Sequence, residues 1–379
     1  MRIAIVGAGP AGLYLAYLIK RRDKRADIRV FEQNPPDATF GFGVVFSDRA
    51  LEFLNEDDPE TLAAIAPRLE TWRDITLNHR GEAILIDGVG FAALGRLQLL
   101  QLLQERARSV GIEPVYRHAI KDIDEIADAD LVVGADGVNS LVRRAHEREF
   151  GTAIRQLSNR FAWFGTAKPF ATLTQTFRLT EHGAFNAHHY RYAPGMSTFI
   201  VEVDEATFHR CGFETMPADE ARRLCEEVFA DALDGHTLIS NNSVWRQFPT
   251  IRNERWSVRN RVLLGDALHT AHFSIGSGTR LAMEDAIALD KALAGNADIA
   301  SALQAYETAR RQIVEKLVNA ATASADWYEN FASHLALAPI DLAMSYIRRS
   351  GRVDLDRLQQ VSPRFVARYK RERSVTAQG

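Results

Sequence analysis

The chain has 379 residues, 46% apolar and 25% charged, with a net charge of −3, which is enough chain for more than one core and too near neutral to suggest a nucleic-acid partner. Two cysteines, Cys211 and Cys225, make no disulfide framework and match no metal spacing, so they read as buried thiols. No apolar run approaches the roughly 18 residues of a membrane span, and the chain opens on a strand-like MRIAIVGAG with no signal peptide, which predicts a cytoplasmic protein.

The first segment, RIAIVGAGPAGLYLAYLIKRR, reads as a β-branched strand, a glycine turn and an apolar-periodic helix. Gly7, Gly9 and Gly12 satisfy G-x-G-x-x-G. The first permits the tight turn, the second lets a pyrophosphate approach the backbone, and the third lets helix and strand pack closely. A second strand, IRVFEQ, ends at Glu32, where an acid is expected to bind a ribose hydroxyl and to repel a 2′-phosphate. The spacing points to a nucleotide and leaves NAD and FAD both open.

Residues 71–90 read as a hairpin, and GRLQLLQLLQERARSVGI as a core helix preceded by Arg96. DADLVVGADGVNSLVRR (128–144) predicts a buried strand, a turn and a helix capped by Asn139 or Ser140. Residues 151–255 alternate apolar and polar, the pattern of an antiparallel sheet with one wet face. Next, LLGDALHTAHFSIGSG (263–278) ends a strand at a Gly-Asp pair, with Gly276 and Gly278 allowing close backbone approach. Asp266, His269 and His272 tempt as a metal set, but no further carboxylates stand nearby and no metal is expected. The remainder is helical, closing on a basic tail, VARYKRERSVTAQG, expected to fray.

The G-x-G-x-x-G turn, the D-G-x-x-S-x-x-R pattern of Asp136, Gly137, Ser140 and Arg143, and the Gly-Asp pair at Asp266 occur in order over most of the chain. Together they resemble the single-component FAD aromatic monooxygenases of the para-hydroxybenzoate hydroxylase type. FGFGVVFSD (40–48), STFIVEV (197–203) and HTAHFSIGSGT (269–279) are similar to the branch acting on aryl-coenzyme A thioesters. Two positions depart from the wider family, Phe273 in place of a proline and Arg280 in place of an asparagine.

The resemblance implies an α/β fold, with a Rossmann-like FAD domain from 1–70, 91–150 and 256–330. A mainly antiparallel substrate domain would come from 71–90 and 151–255, and 331–379 would form a C-terminal helical segment. FAD contacts would come from Gly7, Gly9, Gly12, Glu32, Arg96, Asp136, Asp266, Gly276 and Gly278. NADH or NADPH would reduce FAD, and O2 would be transferred through a flavin hydroperoxide to an electron-rich ring. Salicyloyl-CoA going to 2,5-dihydroxybenzoyl-CoA is the first expectation; 2-aminobenzoyl-CoA or a free indole or aromatic acid is the alternative. A second nucleotide motif is absent, as in the family, and so is the W-x-W-x-I-P signature of flavin halogenases. A flavoprotein-fold binding module without turnover is the reading from another class, against which the intact Gly-Asp motif weighs.

A phenol needs a general base, and FNAHHYRY (185–192) supplies candidates. His188 and Tyr190 share one face of a strand while His189 points away. His272 is the other candidate. Trp163, Phe199, Trp245 and Phe248 are candidates for an aromatic lining, and Arg348, Arg349 and Arg352 for binding coenzyme A phosphates. The expected assembly is a monomer or homodimer, with no membrane or nucleic-acid partner.

Overall fold

The computed structural model describes residues 1–47 and 50–376; Asp48 of the FGFGVVFSD stretch lies outside them. A five-stranded sheet runs in the order Ser257–Val258, Arg261–Leu263, Leu131–Gly134, Arg2–Val6, Asp27–Phe31. Its strands are parallel except for the hairpin at the Ser257 edge. The inner strands Arg2–Val6 and Leu131–Gly134 are short, rich in Val and Ile and buried on both faces, as a helix-covered parallel sheet requires. Helices Pro10–Arg22, Arg96–Ser109 and Gly278–Gly295 belong to this layer.

A seven-stranded sheet stands beside it, ordered Leu238–Ser240, Arg160–Thr166, Met196–Val203, Gly183–Ala193, Leu173–Thr180, Ile75–His79, Glu82–Ile86. Only the pairing of Leu173–Thr180 with Ile75–His79 is parallel. A three-stranded sheet of Gly43–Ser47, Phe91–Gly95 and Glu70–Trp72 and a ribbon of Thr152–Gln156 with Pro249–Asn253 complete the strands.

Alternation alone misread part of 151–255, which also carries helices Glu205–Cys211, Ala218–Val228 and Ala230–Leu233. Ala221, Cys225, Phe229 and Leu233 fall four apart and are buried together, a helical stripe against the back of the large sheet. Cys225 is buried and Cys211 half-buried, both free.

Helix Ile299–Glu329 joins the two cores, with Leu303, Tyr306 and Val314 in one and Tyr328 in the other. The basic tail is helical to Thr376. Its start is fastened because Asp87 accepts the backbone N–H groups of Arg364 and Phe365, and Phe365 and Val366 are buried. No described helix is long and apolar enough to cross a membrane.

Candidate active site

The C-terminal end of the Arg2–Val6 strand, the Gly-Asp turn and the inner face of the large sheet border one cavity of about 810 Å³. Gly7 makes the turn out of the first strand at φ +103°, where a Cβ would strike the Ala135 carbonyl oxygen at 2.3 Å. At Gly12 a Cβ would meet the Gly7 carbonyl oxygen at 2.0 Å, so neither glycine can carry a side chain. Gly9 is different. A Cβ there meets no protein atom within 4 Å and would enter the cavity instead. Pro10 opens the helix and no side chain caps it, so its first-turn N–H groups are offered to whatever occupies the space.

Glu32 is not on the cavity wall. Its Oε2 accepts the Ala8 N–H at 3.0 Å, and its Oε1 accepts the Asn34 backbone and side-chain N–H groups, each at 2.8 Å. One lone pair of Oε2 remains for a ribose hydroxyl. Asp136, expected among the cofactor contacts, also stands off the wall. Its Oδ2 accepts the Leu141 N–H at 2.6 Å, and burial raises its pKa. The wall there is made by Gly137, Val138 and Asn139. Ser140 caps the following helix, and buried Arg143 donates to the Ala267 carbonyl at 2.8 Å, tying this turn to the Gly-Asp turn.

Asp266 projects into the cavity, where its side chain is exposed, and its carboxylate has no hydrogen-bond partner among the described residues. Burial pushes its pKa up, while His269 and Arg96 pull it down. Arg96 lies on the same wall, its guanidinium 5.2 Å from the Trp163 ring and its buried Nε without a partner. Gly276 and Gly278 line the floor. Among the described residues no group of three or more His, Cys, Asp or Glu can hold a metal. His269 instead bonds Asp285 at 2.8 Å, and Arg280 pairs with Glu284 at 2.7 Å.

These unpartnered groups and the uncapped helix face a void whose chemistry suits a dinucleotide, anionic at its phosphates and hydroxyl-bearing along its chain. Beyond Asp266 the cavity turns aromatic. Phe273 sits at the centre, with ring centroids at 5.0 Å from Phe161, 6.3 Å from Trp163, 5.2 Å from His188 and 6.0 Å from Phe248. Of the expected aromatic lining, Trp163 and Phe248 are present. Phe199 and Trp245 are not, because they pack on Phe229 and Phe213 behind the sheet. Phe273 as a side chain escaped the sequence reading, since only its backbone position carried a signal.

The candidate bases separate clearly. Tyr190 is on the wall, but its hydroxyl donates to the Gly43 carbonyl at 3.1 Å and burial pushes its pKa up to about 12. His272 is buried behind the wall, its Nδ1 on Ser274 Oγ at 2.8 Å, and burial lowers its pKa to about 4. His189 lies on the opposite face, stacked on Phe199 at 4.9 Å. His188 remains. It lines the cavity, and its Nε2 bonds Glu202 Oε2 at 3.0 Å. Burial holds it as a neutral imidazole, and pushes Glu202 up to about 6.

Sequence reasoning passed over Glu202, although an acid inside the apolar strand STFIVEV was the available signal. Arg349, a candidate for phosphate binding, is used internally: it donates to Ser324 and to the Ser274 carbonyl and stacks on Tyr346.

Comparison with known proteins gives these groups a context. A family described as an FAD binding domain matches residues 100–321, and an NAD(P)-binding Rossmann-like domain matches 5–36, the glycine turn and its flanking strands. Salicyloyl-CoA 5-hydroxylase of Streptomyces sp is 41% identical over 92% of this chain and 70% of its own length. A 3-hydroxy-4-methyl-anthranilyl-(aryl-carrier protein) 5-monooxygenase of Streptosporangium sibiricum is 37% identical over 86% of this chain and 89% of its own. The crystal structure of 2-methyl-3-hydroxypyridine-5-carboxylic acid oxygenase superposes with a TM-score of 0.72 at 18% identity, covering 93% of this chain and 98% of that one. Sequence identity across nearly the whole chain, with an intact glycine turn and Gly-Asp turn on one cavity, places the protein among the FAD-dependent aromatic monooxygenases, which use NAD(P)H as co-substrate.

Proposed function

We propose that this enzyme hydroxylates the ring of an aryl thioester, with salicyloyl-CoA the leading substrate, and that His188 accepts the phenolic proton. The observation that carries the reading is His188 itself, a neutral imidazole on the wall of an aromatic cage formed by Phe161, Trp163, Phe248 and Phe273. FAD, when bound, supplies hydride acceptance and the activation of O2.

The first-turn N–H groups after Gly9 would hold its pyrophosphate, Glu32 a ribose hydroxyl, Asp266 a hydroxyl of the ribityl chain, and Gly276 and Gly278 would give the backbone close approach. Arg96 adds a positive charge on the same wall. The cage then orients an aromatic ring and keeps water from it. As His188 takes the proton, the oxygen it leaves donates electrons to the carbon para to it, which favours hydroxylation there.

The names of two relatives, one acting on a coenzyme A thioester and one on a carrier-protein thioester, support a substrate carried on a long arm. Phe40, Val244 and Arg246 line the cavity and are all exposed, so they would meet such an arm, with the Arg246 guanidinium 5.4 Å from the Phe40 ring.

Purified enzyme should be assayed with salicyloyl-CoA, 2-aminobenzoyl-CoA and the two free acids, with NADH consumption followed and products identified by mass spectrometry. Salicyloyl-CoA should give the 2,5-dihydroxy product. Equal turnover of free salicylate would overturn the thioester assignment.

A further inference from the structure

We infer that Glu202 is a positioning residue for His188: its carboxylate takes the Nε2–H and leaves Nδ1 as the proton acceptor on the cavity side. The inference rests on the proposed role of His188 and adds the reason a buried histidine can fill it. A histidine without a partner in an apolar site is a weak base, because burial disfavours its charged form. A carboxylate at hydrogen-bond distance offsets part of that penalty by stabilising the imidazolium while the proton is held, although burial still keeps His188 below its ordinary range.

The geometry is built into the sheet. Strands Gly183–Ala193 and Met196–Val203 are antiparallel neighbours, with His188 opposite Ile200 and Asn186 opposite Glu202. His188 and Glu202 are thus diagonal partners on one face, within reach of long side chains. Both are almost fully buried, and Nε2 and Oε2 lie 3.0 Å apart. Glu202 cannot swing away, because Oε1 accepts from Asn159 Nδ2 at 2.9 Å. Asn159 is itself fixed by its side-chain bond to the Tyr328 carbonyl at 2.8 Å and its backbone bond to Glu329 at 2.9 Å.

The imidazole is held between Tyr328 at 4.8 Å and Phe273 at 5.2 Å. Its Nδ1 has no partner among the described residues, although the ring lines the cavity. The other titratable groups around the pair are His272, Arg349, Glu329 and Tyr328, with His189 and Tyr190 on the strand of His188. Of these, only Tyr190 is also on the cavity wall, and its hydroxyl is committed to Gly43.

In the step that follows, the phenolic O–H bond breaks, its proton moves to Nδ1 and the electron pair stays on oxygen. The other proton stays on Nε2, donated to the Glu202 carboxylate, so no second proton transfer is needed. While Glu202 is ionised it can only accept, and the tautomer is set. Once Glu202 is protonated in acid it can donate to Nε2, and the useful tautomer is lost.

The test uses FAD-loaded enzyme carrying nitrogen-15 histidine, in wild type and Glu202→Gln. Nitrogen NMR should show His188 protonated on Nε2 in wild type and shifted toward Nδ1 in the variant, whose amide donates to Nε2. With salicyloyl-CoA, product formed per NADH should fall roughly tenfold to a hundredfold at unchanged FAD content. Asn159→Ser, which spares the His188 contact, should keep the tautomer and move the acid limb of the pH profile upward, since a carboxylate that loses a donor is easier to protonate.

A His188 tautomer unchanged in Glu202→Gln overturns the inference. If Glu202→Gln fails to fold, an unmoved acid limb in Asn159→Ser overturns it instead. If wild type leaves salicyloyl-CoA untouched, or His188→Gln couples as well as wild type, the functional reading fails, and Glu202 loses its catalytic consequence whatever the tautomer.

Discussion

Asp285 Oδ2 binds His269 Nε2 at 2.8 Å and the Gly265 backbone N–H at 3.2 Å, so one carboxylate fastens the Gly-Asp turn from behind. Arg310 closes the network on the other oxygen at 3.1 Å. With its neighbours secured in this way, Asp266 is left to face the cavity. Asp266→Ala should therefore fold normally and bind FAD more weakly by roughly 1–3 kcal/mol, the range for a hydrogen bond to a charged group. Titration of the apo-variant with FAD measures it, and an unchanged dissociation constant would make Asp266 structural only.

Gly9 and Gly12 should fail in different ways. Gly9→Val places its side chain in open cavity, so the protein should be folded and colourless. Gly12→Ala drives a Cβ into the Gly7 carbonyl and should reduce soluble yield itself. Circular dichroism and flavin absorbance separate the two; a yellow Gly9→Val protein would contradict the nucleotide cradle.

His188→Gln keeps the side chain polar and near in size but removes the proton acceptor. Flavin reduction by NADH should persist, while hydroxylation of salicyloyl-CoA falls by about a hundredfold and hydrogen peroxide release rises. Rapid-mixing kinetics of the two half-reactions would show it. Equal losses in both halves would point to a disturbed cofactor rather than a missing base.

Acid should destabilise this fold through its buried histidines. His188, His189 and His272 are held below their unfolded value of about 6.5, so the unfolded chain binds protons that the folded chain refuses. Their contribution is full above about pH 6.5 and drains away as pH falls, toward about 4 for His272. Glu202 acts in the opposite sense. Raised to about 6, it adds stability as pH drops from there toward its unfolded value of about 4.3. His79 and His334, also lowered by burial, add to the loss. Asp136, Asp266 and Asp290, raised by burial, act with Glu202 at the acid end. The unfolded histidines titrate through the middle of the window, so the melting temperature should fall between pH 7 and 5. His272→Asn should flatten that slope; a slope identical to wild type would contradict the shift.

The cofactor half of the site was the more legible because it is built from backbone. Gly7 and Gly12 are demanded by φ and by close approach, constraints that only one residue type meets and that a sequence displays openly. The substrate half depends on which side chains a sheet turns inward and what stands behind them. His188 could be read from its strand, but its partner Glu202 lies on the next strand at a register that no spacing encodes. Asp136 and His272 belonged to the right segments yet point into the packing rather than the cavity, because each is captured by a nearby partner, the Leu141 N–H and Ser274. The helices of 205–233 were hidden by the strands before them, whose alternation carried the reading past its proper end.

The order of strands in the five-stranded sheet bears on how the enzyme is made. The first strand, Arg2–Val6, has Leu131–Gly134 on one side, and beyond that lies Arg261–Leu263, which leads directly into Asp266. A growing polypeptide therefore exposes its glycine turn to the cell long before the opposite wall exists. On the flavin contacts proposed for Asp266, Gly276 and Gly278, cofactor capture would wait until the segment through Gly278 has left the ribosome, and nascent chains stalled short of it would present a half-built groove.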